Sequence, residues 1–183
     1  MTLRLVRHGE SQWNLAGRVQ GQSKLAGTLT AKGRRQAEKA AEQLAGHRRH
    51  AEMIVCSNLP RARDTATIIA AILDLPVAED PDLREMNFGD LEGRRFTDPM
   101  GRRTVQDIVE NLWLNPRQHR PGGESVADLY ARMRRATTRY TGEELILVTH
   151  GGPVRVATAT HDPRNGRPIP RIAVANTAVV TLS

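Results

Sequence analysis

The sequence predicts an α/β fold with a mostly parallel sheet and helices on both faces of that sheet. Three short apolar runs, at residues 3–6, 53–56 and 145–148, are predicted to be buried strands. Segments with the spacing of amphipathic helices separate these runs, and such alternation is typical of parallel βαβ units. The first and third runs end alike, because each leads through a histidine, His8 or His150, into a glycine turn.

Two helices and a short strand are predicted in the first half of the chain. Thr30 is a suitable N-cap for a helix whose alanines and Leu44 recur on one face, and Gly46 is predicted to end this helix. Pro60 favours a first helical position and begins the second helix. A short third strand is predicted around Val77.

Residues 86–121 are rich in proline and glycine and contain one weak helical pattern, at 105–112. We therefore expect a small cap insertion here rather than a second core. The whole chain, residues 1–183, is expected to form one three-layer domain.

The C-terminal part continues the alternation of strands and helices. Ser125 is predicted to cap a helix that reaches residue 140. A further helix is predicted at residues 154–159, and residues 172–182 are expected to close the sheet.

The composition is that of a globular protein, with 39% hydrophobic and 26% charged residues. The single cysteine, Cys56, lies in an apolar run, so we expect a buried thiol and no intramolecular disulfide. No stretch has the apolar length of a membrane span, and the charged N-terminus does not resemble a signal peptide. The cytoplasm is the expected location.

The formal net charge of +7 raises the question of nucleic-acid binding. The arginines are spread along the chain, and no aromatic residues interleave with them to stack on bases. We therefore expect no nucleic-acid partner. A small phosphorylated substrate would also be attracted to such a surface.

Polar residues are predicted at the ends of several strands, namely Arg7 and His8, Arg61, Glu85 and His150. The carboxyl ends of parallel strands meet at one edge of a sheet, so these side chains are expected to converge. Guanidinium groups neutralise phosphate, a neutral histidine can attack phosphorus, and a carboxylic acid can protonate the departing oxygen. The set predicts phosphoryl transfer without a metal ion or another cofactor.

The segments that hold these residues are LVRHGES at 5–11, SNLPRA at 57–62, LRE at 83–85 and VTHGG at 148–152. In this order they resemble the motifs of the histidine phosphatase superfamily, and more narrowly of its phosphoglycerate mutase-like branch. The resemblance extends from Leu3 to Val180. It includes the weaker matches GRVQG at 17–21, LTAKG at 29–33, PGGES at 121–125 and NT at 176–177.

The resemblance implies a role for each of the converging residues. It implies His8 as the phosphate acceptor and Glu85 as the proton donor. It also implies that Arg7, Arg61 and His150 form the phosphate pocket, with His150 counted among the catalytic residues.

Five further residues are candidates for binding the substrate. The resemblance implies Asn14 as a phosphate contact, and the backbone N–H of Gly151 is placed to bind phosphate at the start of a helix. Arg18, Gln20 and Arg155 are candidates for contacts with the rest of the substrate, with ordinary surface arginines as the alternative for Arg18 and Arg155.

The chain departs from the family pattern at residues 22–28. The family usually shows an Asp-x-x-Leu-like spacing there, whereas this chain has QSKLAGT. We expect this loop to shape the mouth of the substrate site.

Other interpretations of individual residues stay open at this stage. Arg61 alone would be assigned to a water-facing position in the first turn of a helix. Glu10, Glu92 and Glu124 compete with Glu85 for the role of the acid. Glu10 follows the histidine turn closely, Glu92 is expected to be a loop surface charge, and Glu124 is expected to belong to the start of the helix after Ser125.

Metal binding by His8 and His150 is a further alternative. The two residues lack the i, i+4 spacing of a helical metal site, and nearby arginines would repel a divalent cation. We therefore expect no metal site.

Within the family, a phosphatase and a mutase share the same catalytic set. The chain is short for a mutase, and it has Asn87-Phe88-Gly89 where mutases typically show a His-Tyr-Gly-like stretch. We expect a phosphatase that hydrolyses a small phosphorylated metabolite and releases inorganic phosphate. A phosphoglycerate mutase-type transferase and an inactive basic binding module on the same fold are the alternatives, and the sequence does not indicate an oligomeric state.

Overall fold

The computed structural model describes residues 2–47, 51–141, 143–170 and 173–182. Within them the chain has the predicted α/β architecture. The strands are β1 Leu3–Arg7, β2 Met53–Cys56, β3 Val77–Glu79, β4 Pro99–Met100, β5 Arg103–Thr104, β6 Leu145–Thr149 and β7 Val179–Leu182. The helices are α1 Gln12–Leu15, α2 Ala31–Leu44, α3 Pro60–Leu73, α4 Val105–Leu114, α5 Val126–Arg139 and α6 Gly151–Ala157.

In the described residues the main sheet has the order β3-β2-β6-β1-β7. Strands β3, β2, β6 and β1 are parallel, and β7 runs antiparallel to β1 at the edge. The register places Arg7 beside Thr149, the last residues of β1 and β6. His8 and His150, which follow them, therefore leave the sheet side by side.

Both faces of the sheet are covered, as expected for a parallel sheet. Alternate residues such as Val6 and Ile146 pack with α2 and α3, whereas Leu5 and Leu147 pack on the opposite face, with buried residues of α5 and α6. Cys56 is buried on the face of the sheet that packs with α2 and α3, as the sequence predicted.

The segment 86–121 contains the β4–β5 hairpin and α4. Val105, Leu112 and Trp113 of α4 are buried in the same apolar cluster as α5. The predicted helix is thus present and is anchored to the domain through one face. Its role as a cap stays a prediction.

The last strand is shorter than the sequence predicted. Of the described residues 173–182, those at 179–182 alone are extended in the sheet, while Thr177 has a φ of 57°, which interrupts a strand. The side chain of Asn176 donates to the carbonyl oxygen of His8 at 2.9 Å. Residue 172 lies outside the described residues.

Two helix ends also differ from the predictions. Helix α2 ends at Leu44, and the chain continues as a 3₁₀ turn, Ala45–His47, so Gly46 lies inside that turn instead of ending the helix. Helix α6 begins at Gly151, not at residue 154, because Pro153 is tolerated in a first helical turn, where its missing N–H costs nothing.

No helix in the described ranges is long and apolar enough to cross a membrane.

The first turn of α2 packs directly on the backbone that follows His8. A Cβ atom added to Gly33 would lie 2.0 Å from the carbonyl oxygen of Glu10, and one added to Gly9 would lie 2.4 Å from the carbonyl oxygen of Gly33. Helix α2 therefore fixes the histidine turn through contact between two glycine backbones.

We expect Gly33→Ala to lower the free energy of unfolding by about 1–3 kcal/mol, the usual cost of overpacking. This loss would occur although alanine favours a helix more than glycine does. Gly46→Ala is the matched control, because a Cβ atom there meets open space, and its effect is expected within about 0.5 kcal/mol. Urea unfolding measures both; a Gly33→Ala protein as stable as the wild type would contradict the proposed close packing.

Candidate active site

The residues predicted from the sequence converge on one pocket of about 340 Å³ at the carboxyl ends of β1 and β6. Those that line it are Arg7, His8, Asn14, Arg18, Gln20, Arg61, Glu85, Gly151 and Arg155. His150 is fully buried beside them, with its ring centroid 5.1 Å from that of His8.

The hydrogen bonds of His8 determine its tautomer. Nδ1 lies 2.6 Å from the carbonyl oxygen of Gly9, which only accepts, so Nδ1 carries the hydrogen. Nε2 then has a lone pair, and it accepts a hydrogen bond of 3.2 Å from Nε of Arg61. The ring atom that faces Arg61 is thus the one with a lone pair available for nucleophilic attack.

The backbone around His8 is held from three directions. The N–H of His8 donates to the carbonyl of Thr149 at 2.9 Å, and the N–H of Gly9 donates to the hydroxyl of Thr65 at 3.1 Å. Asn176 binds the carbonyl of His8. The ring therefore projects from a backbone that α3, β6 and the segment before β7 fix together.

Burial lowers the pKa of His8 well below its usual range, and the positive charges of Arg61 and Arg7 lower it further. The imidazole is consequently neutral at physiological pH, which a nucleophile requires.

Arg61 lies in the first turn of α3 and is only 1% exposed, so the water-facing interpretation is wrong. Its Nη2 donates to the carbonyl of Gly21 at 2.8 Å, while Nη1 is buried with no hydrogen-bond partner in the described residues. Burial lowers the pKa of Arg61 to about 10, so the group remains a cation at neutral pH.

Arg7 ends β1 and supplies a second buried cation. One of its terminal nitrogens donates to the carbonyl of Val174, and its Nε is buried with no partner in the described ranges. Burial lowers the pKa of Arg7, and the nearby Glu85 carboxylate partly opposes this effect.

His150 is oriented by Ser57. Its Nε2 lies 2.8 Å from the Ser57 hydroxyl oxygen, which accepts a hydrogen bond of 3.3 Å from the N–H of Leu59. The other ring nitrogen of His150, Nδ1, is buried and has no partner in the described residues, and it carries the hydrogen in the tautomer in which the Ser57 hydroxyl donates to Nε2. Burial lowers the pKa of His150 well below its usual range, with the positive charge of Arg61 as the next cause.

Three buried nitrogens of the site thus leave their hydrogen-bonding capacity unused by the described protein: Nε of Arg7, Nη1 of Arg61 and Nδ1 of His150. Buried polar groups without partners are rare in native structures, and each requires an explanation. The three belong to residues grouped around His8, and two of these residues carry a positive charge. Buried cationic donors beside a neutral imidazole are suited to binding an oxyanion.

Glu85 is the carboxylate that faces this group. One of its oxygens accepts from the N–H of Met86 at 2.8 Å, and the other accepts from the N–H of Gly152 at 3.2 Å. A Cβ atom on residue 152 would lie 2.2 Å from the carboxylate, so a larger residue there would displace the carboxylate from its present position.

The three competing carboxylates are engaged elsewhere. Glu10 binds Lys32 and Thr30, each at 2.9 Å, and Glu124 pairs with Arg132 at 2.9 Å. The expectation of a loop surface charge at Glu92 is wrong. Its carboxylate is half-buried, accepts backbone N–H groups of residues 22 and 88 at 2.9 and 3.0 Å, and has its pKa raised by burial.

Asn14 and Gln20 lie on one side of the pocket and are linked through Ser11. The amide oxygen of Asn14 accepts from the backbone N–H of Ser11 at 3.1 Å, which completes a capping box at the start of α1. The hydroxyl of Ser11 donates to Gln20 at 2.7 Å. The side-chain oxygen of Asn14 is thus occupied by the cap of α1. The side-chain amide nitrogen, Nδ2, is therefore the atom of Asn14 that is suited to bind an anion.

Arg18 and Arg155 lie against the walls of the pocket and are both partly buried. Arg18 donates to the carbonyl of Gly93, and the guanidinium of Arg155 stacks 4.2 Å from the ring of Trp113. Neither is an ordinary surface arginine.

Several lining residues were not predicted from the sequence. They are the side chains of Phe88, Phe96, Val109, Glu110 and Trp113, which come from the segment 86–121. The i, i+4 spacing of Val109 and Trp113 on α4 was the available signal. The loop 22–28 was expected at the mouth, but in the described structure none of its residues lines the pocket. Gln22 instead binds the backbone carbonyl of Glu85 at 3.0 Å.

In the described part of the chain, no group of three or more His, Cys, Asp or Glu residues is arranged to hold a metal ion.

The two buried neutral histidines predict a pH dependence of stability. Below pH 6.5 the unfolded chain binds a proton at each imidazole that the folded chain does not accept. Stability is therefore expected to fall as the pH drops from about 6.5 to 5, by up to about 1.4 kcal/mol per pH unit for each histidine.

Denaturant unfolding across this pH range measures the slope. His8→Asn and His150→Asn are each expected to reduce the slope of the unfolding free energy against pH by up to about 1.4 kcal/mol per pH unit, the contribution of one proton. Slopes equal to that of the wild type in both variants would refute the assignment of neutral buried imidazoles.

Comparison with known proteins agrees with this geometry. The model of the histidine phosphatase superfamily (branch 1) matches residues 3–183. The "Metal-independent phosphoserine phosphatase" of Arabidopsis thaliana is 36% identical over 156 residues, which are 82% of this chain and 64% of that protein. The "Probable phosphoglycerate mutase GpmB" of Erwinia tasmaniensis is 35% identical over 165 residues, 85% of this chain and 72% of the relative.

Among solved structures, a mycobacterial glucosyl-3-phosphoglycerate phosphatase in complex with VO3 superposes with a TM-score of 0.83. The two chains are 28% identical, and the match covers 100% of this chain and 90% of the other. The present chain thus spans less than two thirds of the length of the Arabidopsis relative, but nearly all of the mycobacterial structure.

Proposed function

This chain belongs to the histidine phosphatase superfamily, and we propose that it is a phosphatase that hydrolyses a small phosphomonoester through a phosphohistidine on His8. The observation that carries the proposal is the group of buried, unpartnered nitrogens on Arg7, Arg61 and His150 around a neutral His8. These nitrogens are suited to the non-bridging oxygens of a phosphoryl group during its transfer.

In the first step, the lone pair on Nε2 of His8 attacks phosphorus and forms a P–N bond. The bond between phosphorus and the ester oxygen breaks, and its electron pair goes to the departing oxygen. Glu85 in its acid form gives its proton to that oxygen, so the leaving group departs as a neutral alcohol.

In the second step, a water molecule replaces the alcohol. Glu85, now a carboxylate, takes a proton from the water as its oxygen forms a bond to phosphorus. The P–N bond breaks, its electron pair returns to Nε2 of His8, and inorganic phosphate is released. The cycle uses only residues of this chain and restores the neutral histidine and the acid.

Further contacts to the phosphate are proposed for the amide nitrogen of Asn14 and the backbone N–H of Gly151, since both residues line the pocket. Arg18, Gln20 and Arg155 are proposed to contact the rest of the substrate. The small pocket and the phosphorylated metabolites named in the relatives support a small organic phosphate as the substrate. The cytoplasmic location stays a prediction.

Mutase activity is the second candidate, and relatives named phosphoglycerate mutase favour it. A mutase returns the phosphoryl group from histidine to another hydroxyl of the organic molecule, whereas a phosphatase transfers it to water. The two activities therefore share the first step and differ in the acceptor.

We expect brief incubation with a ³²P-labelled phosphomonoester, followed by an alkaline quench, to trap an acid-labile phosphohistidine on the peptide that contains His8. His8→Asn should abolish the label, because asparagine has no nucleophilic ring nitrogen. Peptide mapping locates the label, and a phosphate assay with a panel of phosphorylated metabolites measures hydrolysis.

His119→Asn is the matched control and should retain both label and turnover. A label on the peptide that contains His150 would reverse the assignment of the nucleophile. If 3-phosphoglycerate is isomerised faster than any phosphomonoester in the panel is hydrolysed, the mutase is the correct function.

A further inference from the structure

Arg132 of α5 is 9% exposed, and its guanidinium binds the backbone that leads to Glu85. Nη1 donates to the carbonyl oxygens of Asp82 at 2.7 Å and Arg84 at 2.9 Å, and Nη2 donates to the carbonyl oxygen of Glu85 at 3.1 Å. One side chain thus holds three carbonyl groups within a stretch of four residues.

The same guanidinium forms a two-pronged ion pair with Glu124. Nε and Nη2 of Arg132 lie 3.0 and 2.9 Å from the two carboxylate oxygens. Glu124 also accepts from the N–H of Asn87 at 2.9 Å, on the other side of Glu85. The amide of Gln22 donates both to the carbonyl of Glu85 at 3.0 Å and to Glu124 at 3.3 Å.

The Arg132–Glu124 pair therefore holds the main chain immediately before and after Glu85. Among the described residues, neither partner lines the pocket, so the pair acts behind the site and does not contact the substrate. Stability alone is a weak explanation for such a pair, because apolar residues of similar volume often replace a buried ion pair without loss.

The proposed proton transfer by Glu85 depends on the exact position of its carboxylate. Its two oxygens are oriented by the N–H groups of Met86 and Gly152, on two different segments of the chain. A shift of the backbone at residue 85 would displace the carboxylate from Gly152 and from the oxygen that it protonates. Misplacement by about 1 Å can reduce a rate about 100-fold.

We propose that Arg132, through its pairing with Glu124, is the positioning residue for Glu85. The planar, five-donor fork of arginine is what binds three carbonyls and a carboxylate at once, and a lysine ammonium has only three donors. The inference rests on the proposed function, because it takes Glu85 to be the acid that protonates the leaving group.

The test is the rate of His8 phosphorylation in Arg132→Lys, measured by rapid quench with an alkyl phosphate and with p-nitrophenyl phosphate. An alkoxide needs a proton to leave, whereas nitrophenolate leaves without one. Arg132→Lys is expected to slow the alkyl reaction about 10- to 100-fold, a part of the effect of general acid catalysis. The aryl reaction is expected to stay within about threefold of the wild type, since it depends on His8 and not on the acid.

Arg135→Lys is the matched control. Arg135 lies on the same helix, its side chain is 62% exposed, and it approaches Asp82 only at 3.8 Å. Both reactions should keep their wild-type rates in this variant. If Arg132→Lys does not fold, as judged by near-UV circular dichroism, Glu124→Gln provides the same test and is expected to show the same selective loss with the alkyl ester.

A double variant separates positioning from general support of the fold. In a Glu85→Gln background there is no acid to position, so Arg132→Lys should slow the alkyl reaction by less than about twofold more. Equal losses with both esters, no loss with either, or losses that multiply in the double variant would overturn the inference. A wild-type protein that forms no phosphohistidine would instead overturn the proposed function, and this inference with it.

Discussion

The structure depends on the burial of a neutral histidine beside two guanidinium groups. Two buried cations around one imidazole are costly, because each loses its hydration and repels the other. Arg61 and Arg7 nevertheless retain buried nitrogens that no described residue binds, and the pKa of His8 is held low by this same environment. The charge of a phosphate dianion is opposite to that of the two guanidinium groups, so the proposed substrate would offset the cost of burying them.

The fold supplies the framework that makes this arrangement possible. Adjacent parallel strands β1 and β6 end in register, so their histidines emerge together. Helix α3 contributes Arg61 from its first turn, and the segment before β7 closes the site from the other side through Asn176. Each part of the site belongs to a different element, and the ends of the sheet bring these parts within hydrogen-bonding distance.

Local patterns in the sequence were sufficient for the elements and for the central residues. The apolar runs predicted β1, β2 and β6, and the ordered motifs predicted the residues that converge on the pocket. What the sequence did not reveal depends on contacts between distant segments. The half-buried carboxylate of Glu92 accepts a hydrogen bond from the backbone of Gln22, seventy positions earlier in the chain. The guanidinium of Arg132 binds the backbone of Glu85, 47 positions earlier. Glu110 reaches the pocket only because α4 packs against the core. Neither periodicity nor composition encodes such contacts.

A crystal structure of the protein with orthovanadate, which mimics a phosphoryl group in transfer, tests the role of His8 most directly. We expect a bond between vanadium and Nε2 of His8, with vanadate oxygens about 2.7–3.2 Å from Nε of Arg7, Nη1 of Arg61 and Nδ1 of His150. Vanadium bonded to His150, or vanadate bound elsewhere while these three nitrogens keep no partner, would contradict this role.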